Sequence, residues 1–236
     1  MASTVIKNWD NQTWLSSKSY INAFNKFLIK NISIRSNSKF LDIGCGRGNI
    51  LGSLSSKLKF NKKPLGIDII DHKDRDKRIN FEKINAINFS KKNNQKFDFI
   101  MIKQTIHLMK FNEIKKILNL LKKKLNQNGK ILIFTLDTNK NEIPTFKTMR
   151  QKLNKSLVRD MKIQKIIKKL YPHAIKKKFI YKVKIKKKNY MEMIKKRYIS
   201  VLIPLKEKQI IQGIEEIQSK HRSMLRFKDK LICTIL

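Results

Sequence analysis

Asp42, Gly44, Gly46 and Gly48 fall together in the run Leu41-Asp42-Ile43-Gly44-Cys45-Gly46-Arg47-Gly48, where a short apolar stretch gives way to a helical pattern. Glycine allows positive φ and lets a ligand lie against bare backbone. The helix that follows offers unpaired N–H groups to a negative group. A phosphate-loop lysine is absent, and Asn49 stands where a dinucleotide fingerprint would place its third glycine, which weakens that reading without excluding it. Asp68 lies 20 residues after Gly48, at the end of the next apolar run. A carboxylate there can accept hydrogen bonds from two ribose hydroxyls, so the ligand is expected to carry a ribose. Cys45, inside the turn, reads as packing rather than as a nucleophile. His107 follows Lys103 and Gln104 after a later apolar run and is placed to act as a general base.

These residues need strand ends to hold them. Phe40–Ile43, Pro64–Ile70, part of Ile79–Phe89, Phe97–Ile102 and Lys130–Leu136 read as five strands. Ile50, Leu51, Leu54 and Leu58 recur at helical spacing between the first two. Ile114, Ile117, Leu118, Leu121 and Leu125 form a second stripe, with Asn128-Gly129 as its stop signal. Strand, helix, strand in this rhythm implies a parallel sheet with right-handed crossovers. Further on, 141–170 reads as helix ended by Pro172, 179–185 as a half-exposed edge strand, 190–202 and 207–220 as helices, and 231–236 as a last strand. With no repeat and no linker, 1–236 reads as one domain.

The chain has 236 residues and a formal net charge of +38. That charge alone suggests nucleic acid, but only 9 of the 55 basic residues are arginine. Lysine, isoleucine and asparagine, all with AT-rich codons, number 46, 36 and 21, so base-composition bias accounts for the excess. The lysine runs lack the arginine forks and interleaved aromatics of nucleic-acid sites. Non-specific attraction to polyanions at low salt is still expected. No stretch has the roughly 18 apolar residues of a membrane span, two cysteines make no disulfide framework, and the N-terminus lacks a signal-peptide layout. A cytoplasmic location is expected. No metal site is read.

The run LDIGCGRG, with GID at the second strand, FDFIMIKQTIHLM at the fourth and GKILIFTLD at the fifth, resembles the class I S-adenosylmethionine-dependent methyltransferases. The likeness covers 38–138 and is closest to the small-molecule, type-11-like branch that includes trans-aconitate methyltransferase. It implies an α/β, Rossmann-like class I methyltransferase fold: a seven-stranded, mostly parallel sheet with helices on both faces and helical lid insertions. It also implies an N-terminal helical lid over 1–37, a cofactor-binding core over 38–138, and a C-terminal part over 139–236 with lid helices around 189–220. The cofactor implied is S-adenosylmethionine, with S-adenosylhomocysteine as product. Gly44, Cys45, Gly46 and Gly48 would pack under it by backbone, Asp42 would orient the turn or meet its amine, Asp68 would hold the ribose, and Ile69 would lie on the adenine. Asn85-Ala86 stands where the family often has an adenine-binding Asp. Lys103 and Gln104 would run beneath the sulfonium by backbone. The chain reads IKQT where amino-methylating DNA and glutamine enzymes have an NPPY-type motif, and no cysteine follows the fourth or fifth strand as RNA cytosine-5 methylation requires.

The acceptor is then expected to be a small metabolite methylated on O, N or S, with carboxylates among the candidates. His107 is the candidate base. Trp9, Trp14 and Tyr20 are candidate lid aromatics, and Trp14, Tyr20, His107, Glu142, Arg197 and Tyr198 are candidate acceptor contacts. Arg197 is singled out as a rare arginine suited to bidentate carboxylate binding. The alternatives are a methyltransferase for RNA or another macromolecule, and a cofactor-binding protein without transfer activity.

Overall fold

The computed structural model describes residues 13–92, 94–139 and 141–236; Trp9 lies outside them. Seven strands, β1 (Phe40–Ile43), β2 (Leu65–Asp68), β3 (Asn80–Lys83), β4 (Phe97–Lys103), β5 (Leu125–Leu136), β6 (Ile175–Lys186) and β7 (Met224–Ile235), form a sheet. Their order is β3-β2-β1-β4-β5-β7-β6. β1 pairs in parallel with β2 and β4, β2 with β3, and β4 with β5; β7 joins β5 antiparallel. The helices are α1 (Lys18–Asn31), α2 (Asn49–Leu58), α3 (Ala86–Lys92), α4 (Phe111–Lys122), α5 (Lys147–Leu170), α6 (Lys187–Lys195) and α7 (Glu207–Lys220). This is the mostly parallel, seven-stranded α/β architecture expected from the sequence. Strand order reverses between β1 and β4, which opens a crevice at their carboxyl ends.

By contacts the chain divides into two compact units. One comprises Ile21–Leu136, Lys162–Phe179 and Leu231–Leu236. In it β1 is buried along its whole length, as a strand covered on both faces must be. Leu41, Ile43, Ile100, Ile102, Ile131 and Ile133 point to one face, against Phe89 of α3, Ile114, Ile117, Leu118 and Leu121 of α4, and Ile163 and Ile167 of α5. Residues paired across strands share a face, so Asp42, Met101, Lys103 and Phe134 point the other way. There Phe24 of α1 lies 4.7 Å from Phe134 and 5.1 Å from Phe179, ring centroid to centroid.

The other unit contains residues 13–20, 137–161 and 180–230. Its centre is aromatic. Trp14 stacks on Tyr190 at 6.4 Å and meets Phe227 edge-on at 5.1 Å, while its indole N–H donates to buried Asp229 at 3.2 Å. α7 passes so close to Phe146 that a Cβ at Gly213 would sit 2.6 Å from the ring.

Several elements differ from their sequence reading. Asn128-Gly129 does not end the helix, which stops at Lys122. It lies instead in an irregular stretch of β5, where the pairing with β4 shifts between Phe97 and Phe99. Asn128 takes φ 62° there, so the glycine signal marks a break in a strand rather than a helix cap. Residues 141–146 are not helical, Pro144 falling just before α5. The helix expected over 190–202 is α6 plus a single 3-10 turn at Ser200–Leu202. β6 is longer than read. Along it Phe179 and Val183 are buried while Lys176, Lys178, Lys182, Lys184 and Lys186 are exposed.

Phe24 is fully buried between two aromatic rings. Phe24→Ala is expected to destabilise the protein by about 3–5 kcal/mol, read as a lower urea midpoint; a midpoint unchanged from wild type would refute this packing.

Candidate active site

The turn leaving β1 is bent around three glycines, Gly44, Gly46 and Gly48, with φ of 70°, 54° and 73°. At Gly44 a Cβ would come within 2.3 Å of Thr105 Oγ1. The turn therefore lies flat on the chain leaving β4, and a side chain there has neither room nor an accessible backbone angle. Thr105 Oγ1 reaches the Lys103 carbonyl at 3.1 Å. The N–H groups of Gly44 and Cys45 donate to the Ile67 carbonyl at 2.8 and 3.1 Å. Cys45 packs on β2, where a Cβ at Gly66 would lie 2.7 Å from its Sγ. Burial, then the charges of Asp42 and Asp68, push its thiol far above the ordinary range. Cys45 is a packing residue and no thiolate.

Asp68 closes this turn. Gly46 N–H donates to one carboxylate oxygen at 2.9 Å and Ile70 N–H to the other at 3.0 Å. Each oxygen keeps a further lone pair, so the carboxylate can fix the loop and still accept hydroxyls. Ile69, next to it, is 65% exposed, an apolar surface left at a strand end. Asn85 accepts Asn88 N–H at 2.9 Å through Oδ1. Its oxygen thus caps α3, and Ala86 begins that helix.

From β4, Lys103 Nζ donates to Gln104 Oε1 at 2.9 Å and stands 5.5 Å above the Phe24 ring. Gln104 has φ 51°, a left-handed backbone that a non-glycine residue holds only where its surroundings enforce it; its N–H donates to Phe134 O at 2.9 Å. His107 is half-buried in the 3-10 turn Ile106–Leu108 that follows.

A methyltransferase-domain model matches residues 34–197, more than half of the chain. The chain belongs to the methyltransferase-domain family. It is an S-adenosylmethionine-dependent methyltransferase of the class I fold. No curated protein matches its sequence. One structural neighbour is the plantazolicin methyltransferase BpumL, solved with a monoazolic desmethylPZN analog and SAH. It has 15% identity and a TM-score of 0.53, with 98% of this chain and 89% of that chain covered. Another is a SAM-dependent methyltransferase from Thiobacillus denitrificans in complex with S-adenosyl-L-homocysteine, with 12% identity, 96% and 93% covered and a TM-score of 0.54. A third is a precorrin-6y C5,15-methyltransferase from Geobacter metallireducens, with 8% identity, 93% and 88% covered and a TM-score of 0.52.

This methyltransferase has a site that fits the cofactor. The glycine turn is a cradle that side chains would fill. Asn25 of α1, fully buried, donates through Nδ2 to the Ile50 carbonyl at 3.1 Å, while its Oδ1 has no hydrogen-bond partner. A buried acceptor at the start of α2 suits a ligand carrying an ammonium and hydroxyls. Asn25 has no signal in the sequence, since an asparagine on a helix is ordinary. Thr105 and Arg47 also escape a sequence reading as structural parts of the site. The buried Arg47 donates through Nε to Asp74 at 2.8 Å and through its carbonyl accepts Asp76 N–H at 2.8 Å, tying the glycine turn to the β2–β3 connection. Its one signal is its rarity in a lysine-rich chain.

Trp14, Tyr20, Glu142, Arg197 and Tyr198 belong to the other compact unit. Tyr20 is fully buried; burial first, then the charge of Asp229, raises its phenol well above the ordinary value. Glu142 accepts from Lys230 and from Lys228 N–H, and the Lys230 bond holds its carboxyl below the usual range. Arg197 donates to Glu207 at 2.8 Å and to Leu205 O at 3.2 Å. Tyr198 is half-buried.

Asp42 is 4% exposed at the end of β1. Burial raises its pKa to about 7, against the pull of the Lys103 charge and with the push of Asp68. The folded protein therefore holds the proton over a range where the unfolded chain, with an ordinary carboxyl near 4, has lost it. The contribution to stability is fully present below pH 4 and lost as pH rises towards 7. Asp42→Asn is expected to remove this slope and to be more stable than wild type at pH 8, with the gap closing by pH 4.5. Parallel urea curves at the two pH values would contradict it.

Proposed function

We propose that this methyltransferase acts on O, N or S of a small metabolite in the crevice between β1 and β4. The observation that carries this reading is where four of its nine arginines go. Arg47, Arg75, Arg78 and Arg197 pair with Asp74, Asp71, Asp76 and Glu207, in a chain with only 17 acidic residues. Guanidinium forks committed to carboxylates are not presented to phosphates, and the remaining positive charge is mostly lysine. Two neighbours are in keeping with this: one was crystallised with a desmethylPZN analog, and another is named for precorrin-6y.

When bound, S-adenosylmethionine supplies an electrophilic methyl group on a sulfonium. The chain's part is placement and proton removal. The backbone of Gly44, Cys45, Gly46 and Gly48 underlies the methionyl end, and Asp42, ionised, faces its amine. Asp68 accepts from the ribose hydroxyls, Ile69 covers one adenine face, and Asn85 and Ala86 border its edge. The backbone of Lys103 and Gln104 passes beneath the reacting centre. His107 removes the proton of a hydroxyl or ammonium acceptor. Tyr198, half-buried, would serve on the acceptor side, whereas Trp14 and Tyr20 are buried among the packed side chains of their own unit. Glu142 and Arg197 could do so only by exchanging the ion pairs they now make. Two free thiols and no disulfide suit a cytoplasmic enzyme.

The test is labelled-methyl transfer from S-adenosylmethionine to a host metabolite extract and to total host RNA at physiological salt. Label in the small-molecule fraction is the expected result; label confined to RNA would overturn the reading. Asp68→Ala is expected to weaken cofactor binding at least tenfold, about 1.4 kcal/mol, by calorimetry. His107→Ala is expected to slow transfer while leaving cofactor affinity intact. Full activity in that variant would remove it as the base.

A further inference from the structure

The connection from β2 to β3, residues 69–79, contains neither helix nor strand. No ladder of backbone hydrogen bonds fixes where it lies, so side chains and single backbone bonds must do so. It carries three arginine–aspartate pairs. Arg75 with Asp71 and Arg78 with Asp76 are internal to it. Arg47 with Asp74 is the pair that leaves it, and it ends on the glycine turn. The Arg47 side chain is 10% exposed and that of Asp74 62%, so the guanidinium reaches its partner from a buried stem. Its hydrogen bond holds the Asp74 carboxyl below the usual range.

The surrounding contacts run the same way. Asp76 N–H donates to the Arg47 carbonyl at 2.8 Å. A Cβ at Gly48 would lie 2.2 Å from Ile79 Cδ1, and one at Gly52 would lie 2.3 Å from the Asp76 carboxyl. At the start of the connection, Gly46 N–H and Ile70 N–H share the Asp68 carboxylate, with the exposed Ile69 between Asp68 and Ile70. Residues 46–52 and 68–79 thus form one packed body, and Arg47–Asp74 is its side-chain tie.

Resting on the cofactor placement above, we propose that Arg47 is a positioning residue for the nucleoside half of the cofactor: through Asp74 it sets where the β2–β3 connection, with Ile69 at its start, meets the adenosine. One loop then serves both ends of the ligand. Its glycine backbone underlies the methionyl end, and its one long side chain fixes the surface on which the adenosine rests. A connection held in place beforehand does not have to be ordered by the ligand, and that difference appears as affinity.

The experiment titrates wild type, Arg47→Met, Asp74→Ala and the double variant by calorimetry with S-adenosylhomocysteine and with methylthioadenosine, which lacks the amino-acid end. Each single variant should weaken both ligands about fivefold or more, as expected for losing a hydrogen bond between charged groups. The two ligands should be weakened by the same factor to within about twofold, and the double variant should be no more than about twofold worse than the weaker single. Asp74→Ala changes an exposed side chain, so it decides the matter even if Arg47→Met does not fold. Weakening of S-adenosylhomocysteine alone would assign the arginine to the methionyl end and overturn the proposal. A lower urea midpoint with both affinities unchanged would make the tie purely structural and overturn it. Factors that multiply in the double variant would separate Arg47 from Asp74, with the same result. Wild type that binds S-adenosylhomocysteine but not methylthioadenosine would also overturn it, because the nucleoside half would then carry no affinity to lose. Wild type that binds neither ligand would instead remove the cofactor placement itself, and the role of Arg47 with it.

Discussion

The bond from Gly46 N–H to the Asp68 carboxylate is the point on which the site turns. It joins the glycine turn after β1 to the end of β2, so two strands that are neighbours in the sheet also share one loop geometry at their carboxyl ends. With the Ile67 carbonyl accepting from Gly44 and Cys45, the turn has three of its backbone donors satisfied from β2. It cannot drift without breaking bonds that are expensive to leave unmade. The contact between Gly44 and Thr105 then fixes the turn against β4 as well. Three strand ends are locked by one short loop, and the crevice between them has a shape set before any ligand arrives.

Charge in the crevice follows from that geometry. Burial first, and then the charge of Asp68, raises the cost of ionising Asp42, and burial followed by both carboxylates does the same to the Cys45 thiol. Lys103 works in the opposite direction. The balance leaves Asp42 near the middle of the physiological range.

Much of this is legible in the sequence because glycine leaves an unambiguous trace. Gly44, Gly46 and Gly48 announce a turn with positive φ, and Asp68 after a short apolar run announces a strand end. The strand rhythm from Phe40 to Leu136 follows from runs that must be buried on both faces. The failures have equally physical causes. Asn128-Gly129 has the same chemistry whether it caps a helix or interrupts a strand, and only the pairing with β4 decides between them. Asn25 and Thr105 are invisible because their roles depend on contacts with residues 25 and 61 positions away. Glu142 and Arg197 stand out as unusual, but sequence cannot say that Lys230 and Glu207 are waiting for them.

The exposed lysines of β6 have a consequence for the protein's company. Along a strand, residues on one face recur about every 7 Å, so this border of the sheet carries a ladder of like charges. A second sheet laid alongside would bring two such ladders together, and their mutual repulsion would oppose the pairing. Whatever the source of the lysine surplus, on this strand it guards a sheet whose last strand is otherwise open to templated growth.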